Sequence, residues 1–145
     1  MGWDVTETPC RPRYPAEAGK EDVVRVNHVM ANLLVADLES AKGFYADYLG
    51  LSTEEFNISW VARYTSPDTG ANVQLVTHDA TAVEDAIMSA LVDDADAAYQ
   101  EAERLGYEIV HPLTTEAWGV RRFLVRAPDG NVINIVRHHG SPEDA

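Results

Sequence analysis

Two stretches of this chain read alike, and that internal repeat limits its architecture more than any other feature. Residues 66–76 run Ser-Pro-Asp-Thr-Gly-Ala-Asn-Val-Gln-Leu-Val, a tight turn feeding a strand. Residues 121–136 read strand, turn, strand, with Pro128-Asp129-Gly130 as the turn and Asn131 to Val136 after it. Proline presets φ and glycine permits positive φ, so both segments specify a turn by chemistry rather than by polarity alone. Setting Gly70 on Gly130 puts Gln74 on Asn134, Leu75 on Ile135 and Val76 on Val136. Upstream, Leu34-Val35-Ala36-Asp37 matches Leu91-Val92-Asp93-Asp94, and each precedes a helical pattern that ends in Leu-Gly. Met30 and Ile87 then stand equally far ahead of Asp37 and Asp94. A repeat of this kind sets the whole topology. It predicts an α+β chain built from two tandem copies of strand–helix–strand–strand–strand.

The chain divides accordingly. Residues 1–22 carry Pro12, Pro15 and Gly19 without periodicity and read as a flexible arm. A single domain is expected over 23–139, with module 1 at about 23–77, module 2 at about 86–139, and a polar tail at 140–145. The first helix should start near Asp37, Glu39 or Ser40 and bury Ala41, Phe44, Tyr45, Tyr48 and Leu49. The second should be capped by Asp93 or Asp94 and bury Ala95, Ala98, Tyr99, Ala102 and Leu105. Between the modules, Thr81 and Glu84 could form a capping box. Strands are expected over 51–56, 60–65, 70–76, 107–110, 118–127 and 131–137, with 112–117 as a loop.

Composition narrows the function classes. The 145 residues suit one domain, and 46% hydrophobic content supports a real core. No apolar run approaches the roughly 20 residues of a membrane helix. A net charge of −13 argues against nucleic-acid binding and would attract cations. Asp4, Thr6 and Glu7 interrupt any signal-like run, and the single Cys10 rules out an internal disulfide, so a reducing cytoplasm is the expected compartment.

Val35-Ala36-Asp37, Phe44-Tyr45 and Leu49-Gly50-Leu51 resemble the first module of the vicinal oxygen chelate superfamily. That superfamily covers glyoxalase I, bleomycin resistance proteins and extradiol dioxygenases. Glu116-Ala117-Trp118-Gly119, Arg122-Phe123 and Pro128-Asp129-Gly130-Asn131 resemble its second module, closest to bleomycin-resistance-like members. The resemblance implies paired βαβββ units curled around a cleft, and a homodimer. In metal-dependent members one ligand sits on the first and one on the last strand of each module. The matching positions here are Met30, Gln74, Ile87 and Asn134.

Those four side chains do not make a catalytic metal site. Hard and borderline cations want imidazole and carboxylate donors. Met30 offers a thioether, Ile87 nothing, Gln74 and Asn134 neutral amides. A register slip of two would bring in His28 but rescue none of the others. His78 and His111 sit by loops, and His138-His139 near the tail. Trp60, Tyr64 and Trp118 lie on or beside strands that should line the cleft; Trp118 suits a pocket wall and a structural role equally. Phe44 and Tyr45 belong with the helix stripe. Arg121 and Arg122 alternate faces, and one should form a surface ion pair, with Glu116 as a candidate partner.

The expectation is therefore a small-molecule-binding protein without metal or other cofactor. Met30, Trp60, Tyr64, Gln74, Ile87, Trp118 and Asn134 would contact a hydrophobic or aromatic compound, cationic ones included, in an antibiotic-resistance-like role. The alternatives are an enzyme of the same fold, metal-dependent or metal-free, of lyase, isomerase or dioxygenase type, and an interaction module with a collapsed cleft.

Overall fold

The computed structural model describes residues 24–138; the expected arm at 1–22 and tail at 140–145 lie outside the described residues. Module 1 contains β1 (Val26–Leu34), α1 (Leu38–Lys42) continuing into a π-helical turn (Gly43–Tyr48), β2 (Thr53–Asn57), β3 (Val61–Thr65) and β4 (Asn72–Val76). Module 2 contains β5 (Met88–Val92), α2 (Ala95–Arg104), β6 (Glu108–Glu116), β7 (Val120–Arg126) and β8 (Val132–His138). The strands form one eight-stranded sheet in the order β2-β3-β4-β1-β5-β8-β7-β6.

The repeat is visible in the strand registers. β1 runs parallel to β4 with Asn32 beside Gln74, and β5 runs parallel to β8 with Ser89 beside Asn134. β1 and β5 meet antiparallel at the centre, with Met30 beside Ser89. The two modules are therefore related by a local twofold between β1 and β5. The paired turns use the glycines the sequence places there: Gly70 has φ 81 and Gly130 has φ 97, values an L side chain rarely adopts.

One face of the sheet is covered by the helices. Leu38 and Ala46 pack on Ala62, Tyr64, Val73 and Leu75 in module 1. Ala98 and Ala102 pack on Phe123 in module 2, with Ile109, Val125 and Ile135 around them. Both helices start as expected: Asp37 accepts from the Ser40 amide at 2.8 Å, and Asp94 from the Ala97 amide at 2.9 Å.

Four expectations need correction. α1 does not bury Phe44, Tyr48 and Leu49, which are exposed, while Ala46 is buried. The cause is the π turn: the Leu49 amide bonds to the Phe44 carbonyl, five residues back, so the 3.6-residue stripe slips off the core. Leu105 is likewise exposed just past the end of α2. Residues 112–116 are strand rather than loop, because β6 is an edge strand whose register shifts at His111 accommodate Pro112. Thr81 and Glu84 form no capping box. Asp79 accepts from the Thr81 and Ala82 amides at 3.0 and 2.9 Å instead, and Glu84 pairs with Arg126 at 2.6 Å.

Candidate functional site

The face of the sheet opposite the helices is a cleft. Alternation on β3 sends Ala62 and Tyr64 under α1, and Val61 and Arg63 into the cleft. Alternation on β4 likewise puts Gln74 and Val76 there, and β8 contributes Asn134 and Val136. Trp60 and Trp118 come from the turns before β3 and β7. The cleft is open at its mouth, and the space within it that a water-sized sphere can enter is small, about 50 Å³.

Its floor is a network of neutral groups drawn from the central strands. Gln74 donates to Asn32 Oδ1 at 2.9 Å, and Asn32 and Asn134 each donate to Ser89 Oγ at 3.0 Å. Met30 and Ser89 are almost fully buried beside this network. The Oδ1 of Asn134 has no hydrogen-bond partner among the described residues. In the same cleft the rings of Trp60 and Trp118 meet edge to face, with centroids 5.2 Å apart.

Two arginines enter the cleft. Arg122, with a side chain only 4% exposed, is held by Asp79 at 2.8 and 2.9 Å and by Glu116 at 2.9 Å. It also donates to Thr81 Oγ1 at 2.8 Å and lies 5.2 Å from the Trp118 ring centre. Burial alone would lower this guanidinium, but Asp79 and Glu116 outweigh it and hold it above its ordinary value. Burial alone would raise Asp79; Arg122 and the Thr81 and Ala82 amides outweigh that and keep it below the usual carboxylate range. His111 Nε2 lies 2.9 Å from the same Glu116 oxygen that Arg122 Nε contacts. Arg63 is placed differently. It donates to Gln74 Oε1 at 3.3 and 3.1 Å and to His138 Nε2 at 3.2 Å, and it lies over the Phe56 ring at 4.8 Å.

Over residues 25–135 the sequence matches the family model of the Glyoxalase/Bleomycin resistance protein/Dioxygenase superfamily. The chain belongs to this superfamily. No curated protein matches it significantly. Among solved structures it is similar to a Legionella pneumophila protein described as an NAD-dependent benzaldehyde dehydrogenase, with TM-score 0.63 and 17% identity over 77% of this chain and 99% of the other. It is similar to an uncharacterized Methanosarcina mazei protein, with TM-score 0.60 and 25% identity over 81% and 96%. It is also similar to a Mn(II)-bound glyoxalase from Novosphingobium aromaticivorans, with TM-score 0.57 and 22% identity over 79% of this chain and 40% of that one. These likenesses support the fold.

The superfamily's metal chemistry does not fit the donors this chain brings together. Asn32, Gln74 and Asn134 supply neutral amides, Ser89 a hydroxyl and Met30 a thioether. Divalent catalytic sites are built from imidazole and carboxylate instead. Among the described residues no group of three or more His, Cys, Asp or Glu could hold a metal ion. His28 sits exposed, bonded to Asn72 Oδ1 at 3.1 Å.

Five of the seven residues expected in the site line the cleft: Met30, Trp60, Gln74, Trp118 and Asn134. Ile87 does not. It occupies a bend just before β5, the residue is 55% exposed, and Ser89 fills the place expected for it. Tyr64 does not either. It is buried under α1 and donates to Glu54 at 2.7 Å. Trp60 shares Tyr64's parity yet reaches the cleft, because it precedes β3 beside Ser59, whose φ of 79 turns the chain. Of the arginine pair, Arg122 does meet the expected partner Glu116, but inside the fold rather than at the surface. Arg121 makes the exposed ion pair, with Asp96 at 2.8 Å, while Arg122 makes a buried one. Sequence reasoning missed Asn32, Ser89 and Arg63. Asn32 was readable by period-two alternation from Met30, whereas alternation from Trp60 and Tyr64 pointed Arg63 to the other face.

Proposed function

We propose that this superfamily member binds a small, flat, hydrophobic or aromatic compound in the cleft, without a resident metal and without catalysing a reaction. The observation carrying this reading is the floor of mutually bonded neutral groups, Asn32, Gln74, Ser89 and Asn134, in the same cleft as the Trp60–Trp118 pair. Neutral amides orient a ligand by donating and accepting, and they provide neither the charge a divalent ion requires nor a strong base. Apolar walls with few polar groups are the usual composition of small-molecule sites. A sequestering role of the antibiotic-resistance kind fits such a cleft. A cationic ligand fits it less well, since Arg63 and Arg122 both face inward. Exposed Phe44, Tyr48 and Leu49, with the open edges of β2 and β6, support a homodimer in the same reading.

A thermal-shift screen of aromatic compounds tests the binding role, because a ligand at 100 times its Kd stabilises the fold by about 2.7 kcal/mol. Trp118→Ala and Asn134→Ala should each weaken the first compound found, with folding unchanged by circular dichroism. Unchanged affinity in both variants would remove the cleft as the site. Elemental analysis finding about one transition metal per chain, lost when Gln74 and Asn134 are replaced, would overturn the metal-free part.

A further inference from the structure

Arg63 and Arg122 are compensated unequally. Arg122 meets two buried carboxylates within 2.9 Å. Among the described residues Arg63 has one carboxylate in range, Glu55 at 3.9 Å, whose side chain is 41% exposed while that of Arg63 is 14% exposed. Its contacts inside the cleft are a neutral amide oxygen, a histidine nitrogen that accepts from it, and the Phe56 ring. A guanidinium cannot shed its charge in proteins, and a desolvated cation without a close anion is costly. Burial lowers the Arg63 guanidinium from its ordinary value, and Glu55 only partly offsets that. A carboxylate in the cleft would supply the missing anion through charge-assisted hydrogen bonds.

We propose that Arg63 is the anion receptor of the cleft and that the ligand is a flat unsaturated acid, its carboxylate facing Arg63 and its ring sharing the cleft with Trp60 and Trp118. The unpartnered amide atom of Asn134 adds a place for a hydroxyl or amine substituent. This inference rests on the binding role proposed above and names the class of ligand. The net charge of −13 slows the approach of an anion, but solvent ions screen such a field beyond about 8 Å at physiological ionic strength, so it does not govern the contact itself.

The test is calorimetric titration of the full chain with three probes matched in shape: naphthoate, naphthamide and naphthylmethylammonium. Naphthoate should bind roughly 10- to 100-fold more tightly than naphthamide, the range expected for one charge-assisted contact. Arg63→Gln should erase that ratio, weakening naphthoate far more than naphthamide. Arg63→Lys should keep part of the ratio, because the charge survives while the fork geometry is lost. A thermal melt establishes that each variant is folded; should Arg63→Gln fail to fold, the probe ratio in the unmodified protein and in Arg63→Lys decides. Equal affinity for naphthoate and naphthamide, tighter binding of the ammonium, or a ratio untouched in the folded variants would overturn the anion receptor while leaving the cleft as a binding site. No binding of any probe would remove the cleft reading together with it.

Discussion

The two halves of the cleft share a backbone and differ in chemistry. In module 1 Arg63 stands across from Gln74 and Val61 across from Val76. At the same places in module 2, Leu124 stands across from Asn134 and Arg122 across from Val136. Each half thus carries one arginine, displaced by one step of the pleat. Around Arg122 the turn before β5 and the end of β6 supply Asp79, Thr81 and Glu116, and the charge is closed off inside the fold. Around Arg63 the neighbours are Gln74, Phe56 and His138, with Glu55 at the rim. Repeated topology decides which side chains share the cleft. The loops between strands decide whether a charge there is structural or remains open to a ligand.

The strongest way to break this comparison is to remove each charge in turn. Arg122→Met leaves Asp79 and Glu116 buried without a cation, and removing one partner of a buried pair typically costs about 3–5 kcal/mol. Arg63→Met removes a charge whose only carboxylate partner among the described residues is partly exposed, so a change of about 1 kcal/mol or less is expected. Urea unfolding of both variants measures this. Equal losses would mean that the two arginines are structural alike.

A smaller effect appears on acidification. Asp79 sits below its ordinary range in the folded chain, because Arg122 and two amides outweigh the effect of burial. The folded state therefore holds this proton less tightly than the unfolded state. Its contribution is fully present above the unfolded carboxylate value of about 3.9 and is lost as pH falls from there through the folded value. Urea midpoints between about pH 6 and pH 3 should fall more steeply for the unmodified protein than for Asp79→Asn, measured against a common background. Parallel slopes would show that Arg122 draws its support from Glu116 alone.

The fold was legible in the sequence because a repeat constrains many positions at once. Gly70 with Gly130 and Asp37 with Asp94 set the copies in register, and that register places Gln74 and Asn134 as equivalents. The site was legible only in part. Alternation is reliable inside a strand and fails at its ends, which is why Ile87, in a bend, turned outward and Trp60, beside Ser59, turned inward. A helical stripe assumes 3.6 residues per turn, and the π turn at Gly43–Tyr48 broke that assumption for Phe44 and Tyr48. Glu116, six residues from Arg122, was a candidate partner in the sequence, but Asp79 and Thr81 come from a distant loop, and no local pattern joins Asp79 to Arg122.

The smallest expected effect concerns Tyr64, which the fold assigns to the helix side rather than the cleft. Its hydroxyl donates to Glu54 at 2.7 Å, and burial first, then that carboxylate, pushes the phenol up from 10.0 to about 12. Tyr64→Phe deletes the hydrogen bond without opening a cavity, so a cost of about 1 kcal/mol is expected at neutral pH. The sign of its pH dependence is the reverse of that for Asp79. A phenol raised in the folded state keeps its contribution below the unfolded value and loses it as pH rises through the folded one. The stability gap between Tyr64→Phe and the unmodified protein should therefore shrink as pH climbs from 10.0 to about 12. Affinity for any cleft ligand should stay the same, since Tyr64 packs with Leu38, Ala46 and Leu75 on the covered face. A variant that kept its stability yet lost ligand affinity would place Tyr64 back in the site and break the division of the sheet into a helix side and a ligand side.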